Sequence, residues 1–207
     1  MRRLPMAVVM ALAFSFAVVA ALVGCDANTQ TSASDESKAA AKSKTSEEDA
    51  KIESAMSAAP MSIAKDATIV DYPKEAGQPL IELRKGTNGW TCFPDWEATP
   101  GNDPQCFDKT WMQWFDAFMS GTEPNITSPG VAYMLQGGSD ASNTDPLAMK
   151  PPKGEEWLNT GPHIMLLVPG KVDASRYPTE PHSGEPWLMW AGTPYGHLMV
   201  PVEDGGS

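Results

Sequence analysis

Two stretches of the chain repeat one pattern, Thr160-Gly161-Pro162-His163-Ile164-Met165 and Thr193-Pro194-Tyr195-Gly196-His197-Leu198-Met199. In each, a turn leads into His-x-Met at the head of an apolar run. On a strand, residues i and i+2 share a face, so each histidine lies beside its methionine. If the strands starting at His163 and His197 are neighbours in register, two imidazoles and two thioethers converge. His163, Met165, His197 and Met199 would then form a soft ligand set suited to Cu(I). The plainer alternative packs Met165 and Met199 in the core and leaves the histidines bonding loop carbonyls. A third gives one histidine acid–base or ligand-binding work.

The longest polar cluster runs from Gln136 to Pro146 and follows an apolar strand. Within it, Gly137-Gly138-Ser139-Asp140-Ala141 differs by one residue from the G-x-S-x-G nucleophile elbow. An elbow must lead into a helix, whereas Asn143 to Pro146 is turn chemistry, and only 68 residues (207 − 139) follow Ser139. As a calcium loop beginning at Asp140, the sixth place holds Asp145 instead of Gly and the twelfth Pro151 instead of Glu, so it is no EF-hand. An irregular oxygen-rich set of Asp140, Asn143 and Asp145 remains, beside the plain reading of Asx-turns in a structured loop. Asp95, Glu97, Asn102, Asp103 and Asp108 make a second oxygen-rich set. Trp90, Trp96, Trp157, Trp187 and Trp190 add aromatic surface that suits either core packing or contact with carbohydrate or peptide. The ligand-binding candidates are Asn143, Asp145, Trp187, Trp190 and Tyr195; the catalytic candidates are Ser139, Asp140, His163 and His197.

The elements that must position these residues are short and separated by turns. Residues 67–72, 80–84, 90–93, 131–136, 163–168, 187–191 and 197–202 read as strands. One helix is clear, with Asp108 as N-cap, Gly121 as stop, and Trp111, Trp114, Phe115, Phe118 and Met119 on one stripe expected to face the core. The expected fold is α+β: a small, mostly antiparallel sheet, one principal amphipathic helix, one disulfide and long structured loops. Cys92 and Cys106 are expected to form that disulfide, closing an irregular loop rich in Pro and Gly.

The N-terminus carries an address. Arg2 and Arg3 precede an apolar run from Ala7 to Val23, interrupted only by Ser15, that ends in Leu22-Val23-Gly24-Cys25. This ending resembles the lipobox of bacterial lipoproteins. The resemblance implies cleavage after Gly24, lipidation of Cys25 and acylation (palmitate-type) of its new amino group, which anchors a chain without a spanning helix. Asp26 directly after Cys25 implies retention in the inner membrane of a two-membrane bacterium; the outer membrane and the cell surface are the alternatives. Either way the domain would face away from the cytoplasm.

The expected organisation is a signal peptide over 1–24, a lipidated disordered tether over 25–50, a short helix over 51–59, one globular domain over 60–204 and a tail over 205–207. Helix-forming residues begin at Ser46, a good N-cap, and Pro60 stops the run. The 207 residues include 26 acidic and 15 basic side chains, a net charge of −11. Loss of Arg2 and Arg3 with the signal takes this to −13 (−11 − 2), which opposes contact with nucleic acid. Three cysteines exclude a multi-thiolate metal cluster.

The strings Lys85–Cys92, Tyr133–Asp145 and Trp187–Tyr195 resemble those of an uncharacterised family of exported bacterial proteins, over roughly residues 57–202. That resemblance brings no activity, cofactor or catalytic residue. The expected function is therefore a membrane-anchored envelope lipoprotein with a non-enzymatic domain that binds a small molecule or an envelope protein. The alternative is a hydrolase-like enzyme or metal-binding protein using the Ser139/Asp140 loop with His163 and His197.

Overall fold

The computed structural model describes residues 32–202 except 76 and 171, with side chains from residue 45 onward. The signal segment, Cys25, Asp26 and the tail lie outside the described residues. By its internal contacts the chain divides into residues 1–39 and 40–207, and everything below concerns the second unit. Among the described residues no helix is long and apolar enough to cross a membrane.

Helix α1 spans Ser32–Ser57, so most of the segment expected to be a disordered tether is helical instead. A lack of large apolar residues argues against a core but not against a helix. Between Asp26 and Ala59 there is no Gly or Pro, and Ala, Lys and Glu are abundant helix formers. Pro60 ends the run and precedes the single turn α2 (Met61–Ala64). Ten strands follow: β1 (Thr68–Asp71), β2 (Ile81–Arg84), β3 (Thr91–Phe93), β4 (Gln105–Phe107), then helix α3 (Lys109–Met119), β5 (Gly130–Met134), β6 (Gly138–Asp140), β7 (Leu158–Thr160), β8 (His163–Leu167), β9 (Trp187–Met189) and β10 (His197–Pro201). Eight of them form one sheet in the order β2-β1-β3-β4-β5-β8-β10-β9, antiparallel except for β1 against β3, while β6 and β7 pair separately. The fold is α+β with one disulfide, as the sequence implies, although the sheet is larger than expected.

Each face of the sheet has its own cover. On one face, Val70, Phe93, Phe107, Ala132, Met165, Leu167, Met189 and Met199 pack with Trp111 and Trp114 of α3. On the other, Ile69, Cys92 and Cys106 pack with Ala55, Ala58 and Ala59 at the end of α1 and with Ala64 and Ala67. Alanines let this helix end approach the strands closely, and Arg84 holds it by donating to the carbonyls of Ala64 (2.6 Å) and Ala67 (3.0 Å).

Asp108 caps α3 as expected, and it does a second job. One carboxylate oxygen accepts from the Trp111 amide (2.8 Å) and the other from the Val131 amide (2.7 Å), so the helix start and β5 share one anchor. The stripe is core at Trp111 and Trp114 and half-buried at Phe115 and Phe118. Met119 departs from the expectation: it is 61 % exposed because the last residue of the helix overruns the sheet. Cys92 and Cys106 stand directly opposite one another in β3 and β4 and are bonded. The loop they close is therefore irregular only between its two ends, which are strands.

Candidate functional site

Segment 136–146 is where the sequence concentrates its polar chemistry, and the fold sends its two halves to different neighbours. Its first half is a strand, β6, instead of a turn or an elbow; Gly138, Ser139 and Asp140 pair with Thr160, Asn159 and Leu158. Ser139 lies against the disulfide-closed loop, where its hydroxyl and the Asp103 carboxylate fill the space that a side chain at Gly101 would need. Asp103 is 5 % exposed. Its Oδ2 accepts from the Thr99 hydroxyl, its amide donates to Asp95 Oδ1 (2.7 Å), and its Oδ1 has no partner in full hydrogen-bond geometry. Burial pushes the Asp103 carboxyl upward, partly offset by Thr99 and Ser139, while the Asp95 charge adds to the rise. Burial, and then the charge of Asp103, raise partly buried Asp140 to about 7. The two oxygen-rich sets of the sequence thus meet at Asp103 and Asp140. Among the described residues, however, no three His, Cys, Asp or Glu side chains are placed to hold a metal ion.

The second half is a set of turns, as expected. Ser142 Oγ accepts from the amides of Thr144 (3.1 Å) and Asp145 (3.0 Å), and Asp145 Oδ1 from that of Leu147 (2.9 Å). These turns seat Trp190. The Trp190 amide donates to the Asn143 carbonyl (2.9 Å), its indole N–H to the Ser142 carbonyl (2.9 Å), and the Thr193 hydroxyl donates to its own carbonyl (2.8 Å). Trp190 has φ +53°, a left-handed conformation that a bulky residue seldom adopts. The Asn143 amide group donates to the Thr179 carbonyl (2.7 Å), which brings a third loop to the same point, while its Oδ1 is buried without a partner.

Beside this junction the rings of Trp114, Phe118 and Trp190 lie within 8° of parallel, with centroids 5.3–6.0 Å apart. Tyr195 stands edge-on to Trp114 and Phe118, and its hydroxyl donates to the Thr122 carbonyl just past α3 (3.1 Å). Of the ligand-binding candidates, Asn143, Trp190 and Tyr195 gather here. Trp187 is buried in the sheet core and Asp145 is exposed in its turn. Phe118 and Thr179, which complete the junction, have no local signal in the sequence, since their roles arise only from the packing of distant segments.

The repeated His-x-Met strands are neighbours, but antiparallel ones. Met199 pairs with Met165, and His163 stands opposite Pro201. His163 and His197 therefore lie on opposite sides of the methionine pair, separated by four residues (201 − 197) or ~13 Å of strand. They share a face and not a point, so the register does not assemble the four-ligand set. Both histidines are 1–2 % exposed. Each turns Nδ1 to a carbonyl, His163 to Gly161 (2.7 Å) and His197 to Tyr195 (3.1 Å). A carbonyl only accepts, so Nδ1 is assigned the proton and Nε2 is bare; both Nε2 atoms are buried without a partner. Burial lowers His163, and it lowers His197 to about 4 against the Tyr195 hydrogen bond, with the His163 charge adding to the fall. His197 is enclosed edge-on by Trp111, Trp114 and Trp190. Ser139, the candidate nucleophile, faces Asp103 rather than an imidazole. A cleft along the β1–β2 turn is lined by Pro73, Lys74, Glu75, Gln78, Pro79 and Ile81, none of them a candidate.

Compared with known proteins, the chain matches no family model, no curated protein and no solved structure.

Proposed function

We propose that the mature chain is a bacterial envelope lipoprotein, held on a membrane through acylated Cys25, whose domain is a non-enzymatic module that binds a small molecule or an envelope protein. The Leu22–Cys25 motif supports the anchor, and Asp26 favours the inner membrane. The contact surface is the junction of the 141–149, 173–186 and 190–196 loops beside the ring cluster. The observation that carries this reading is Trp190. A tryptophan at φ +53° stores about 1–3 kcal/mol of backbone strain. Hydrogen bonds from two other segments hold it there, and its indole stays half-buried at the surface instead of entering the core. The hydrolase-like or metal-binding reading has less support, because Ser139, Asp140, His163 and His197 do not assemble around one point.

Two measurements test the proposal. Cells given an alkyne fatty acid should label the wild-type chain and leave Cys25→Ala unlabelled; equal labelling, or none in either, overturns the anchor. The purified full chain is then titrated with an N-acetylglucosamine tetramer and with a short acetylated peptide, following the Trp190 indole N–H by NMR. One of the two should shift it saturably, and Trp190→Ala should abolish binding. If neither moves Trp190, the assignment of this surface fails.

A further inference from the structure

The Asp95–Asp103–Asp140 corner contains buried acids with no basic partner. The salt bridges among the described residues are Lys51 with Glu47 and Asp71, and Lys65 with Asp66; none reaches this corner. The groups that face it are Thr99 and Asp95 from the disulfide-closed loop, Ser139 from β6, and the Tyr72 phenol from the end of β1, on which the charges of Asp103, Asp95 and Asp71 act. His163 would meet a side chain at Gly138, but it is buried and neutral. Two like charges enclosed together without a cation cost several kcal/mol unless one of them is neutralised. Asp103 Oδ1 is enclosed and unpartnered, and the Asp140 carboxyl makes no hydrogen bond of its own. With too few ligands for a metal ion, the smallest cation that fits is a proton.

We propose that Asp103 and Asp140 bind one proton between them and act as a latch that fastens the disulfide-closed loop to β6. With the proton bound, the pair carries a single negative charge and the loop stays docked on Ser139. Without it, two charges repel across the junction and the loop lifts from β6. Because Ala141 alone separates Asp140 from the Ser142–Asn143 seat of Trp190, that seat loosens too. The release falls near neutrality, since burial and Asp103 hold Asp140 at about 7. The latch stands independently of what, if anything, binds at Trp190.

The test is a carboxyl-carbon NMR titration of the purified full chain from pH 4 to 9, read together with the Trp190 indole N–H. Asp140 should titrate near pH 7, and Trp190 should move with the same midpoint. In Asp140→Asn, whose amide mimics the protonated acid, the neutral step at Trp190 should vanish. The wild-type melting temperature should then fall relative to Asp140→Asn as pH rises from 5 to 8. An Asp140 midpoint below pH 5, or a neutral step at Trp190 that persists in Asp140→Asn, overturns the proposal. Should Asp140→Asn fail to fold, the wild-type midpoints at Asp140 and Trp190 decide alone.

Discussion

Replacing both Cys92 and Cys106 by Ala removes a cross-link between directly opposed residues of two central strands. The sequence separation of 14 closes a 15-residue loop, and freeing that loop in the unfolded chain costs about 3 kcal/mol of stability in the chain-entropy model. Both sulfurs are also fully buried in the alanine-lined cluster under α1. Their loss leaves apolar volume unfilled, at roughly 1 kcal/mol for each methylene-sized group. The sum is about 5 kcal/mol, of which reduction of the wild type should show only the cross-link part. At ~2–4 °C per kcal/mol for a chain of this size, reduction should lower the melting temperature by ~6–12 °C and the double substitution by more. Calorimetry on the full chain gives both values, and urea denaturation adds a separate check. If the effect lies in the unfolded state, losing the cross-link should expand that state and steepen the denaturant dependence. A fall of less than ~2 °C on complete reduction, with an unchanged denaturant slope, would refute the reasoning.

Three further outcomes follow from single contacts. A side chain at Gly86 would overlap the backbone of Ala67 and Thr68, so Gly86→Ala should cost about 3 kcal/mol, measurable as a lower urea midpoint. Tyr195→Phe removes the hydrogen bond to the Thr122 carbonyl and should cost ~1 kcal/mol, with faster hydrogen exchange at the end of α3. His197 is held at about 4, below its ordinary 6.5, so the stability it contributes is complete above pH 6.5 and is lost as pH falls toward 4. Asp140, raised to about 7, acts in the opposite sense over much of that range, gaining stability as pH falls. The difference between wild type and His197→Phe therefore isolates the histidine: stability of the wild type should drop relative to the variant on acidification, and parallel curves would reject its burial as a neutral imidazole.

What the sequence disclosed was local, and what it withheld was long-range. Helix α3 was legible because an Asp cap, a 3.6-residue stripe and a Gly stop agree within fourteen residues (108–121). Strands β8, β9 and β10 were legible because their apolar runs are bounded by turns. In contrast, β4, β6 and β7 are three residues each, and nothing in Gln105-Cys106-Phe107, Gly138-Ser139-Asp140 or Leu158-Asn159-Thr160 marks a strand. Their conformation comes from the neighbour they pair with. The same holds for the candidate site. Ser139, Asp140, Asn143, Trp190 and Tyr195 could be picked by residue type, yet Gly101 and Thr99 enter only because the disulfide folds their loop onto β6. Thr179 meets Asn143 across 36 residues, a contact no local pattern encodes.

The His-x-Met repeat shows why residue type and spacing do not by themselves make a site. Two copies of one motif on adjacent strands put like beside like only when the strands run parallel. When they run antiparallel, one position of the motif meets its copy and every other position is carried away in opposite directions. Here that position is the methionine, so Met165 meets Met199 at the centre of the face and the histidines are driven outward. One is then closed in by three tryptophans, and the other stands opposite Pro201 and against Gly138. The direction was settled by connection length. The hairpin of β9 and β10 returns the chain beside β8 after a long excursion over the sheet edge, so β10 runs against both β8 and β9. The chemistry carried by the repeat was thereby turned into packing, and the polar groups that reach the surface are those of the loops at the two ends of segment 136–146.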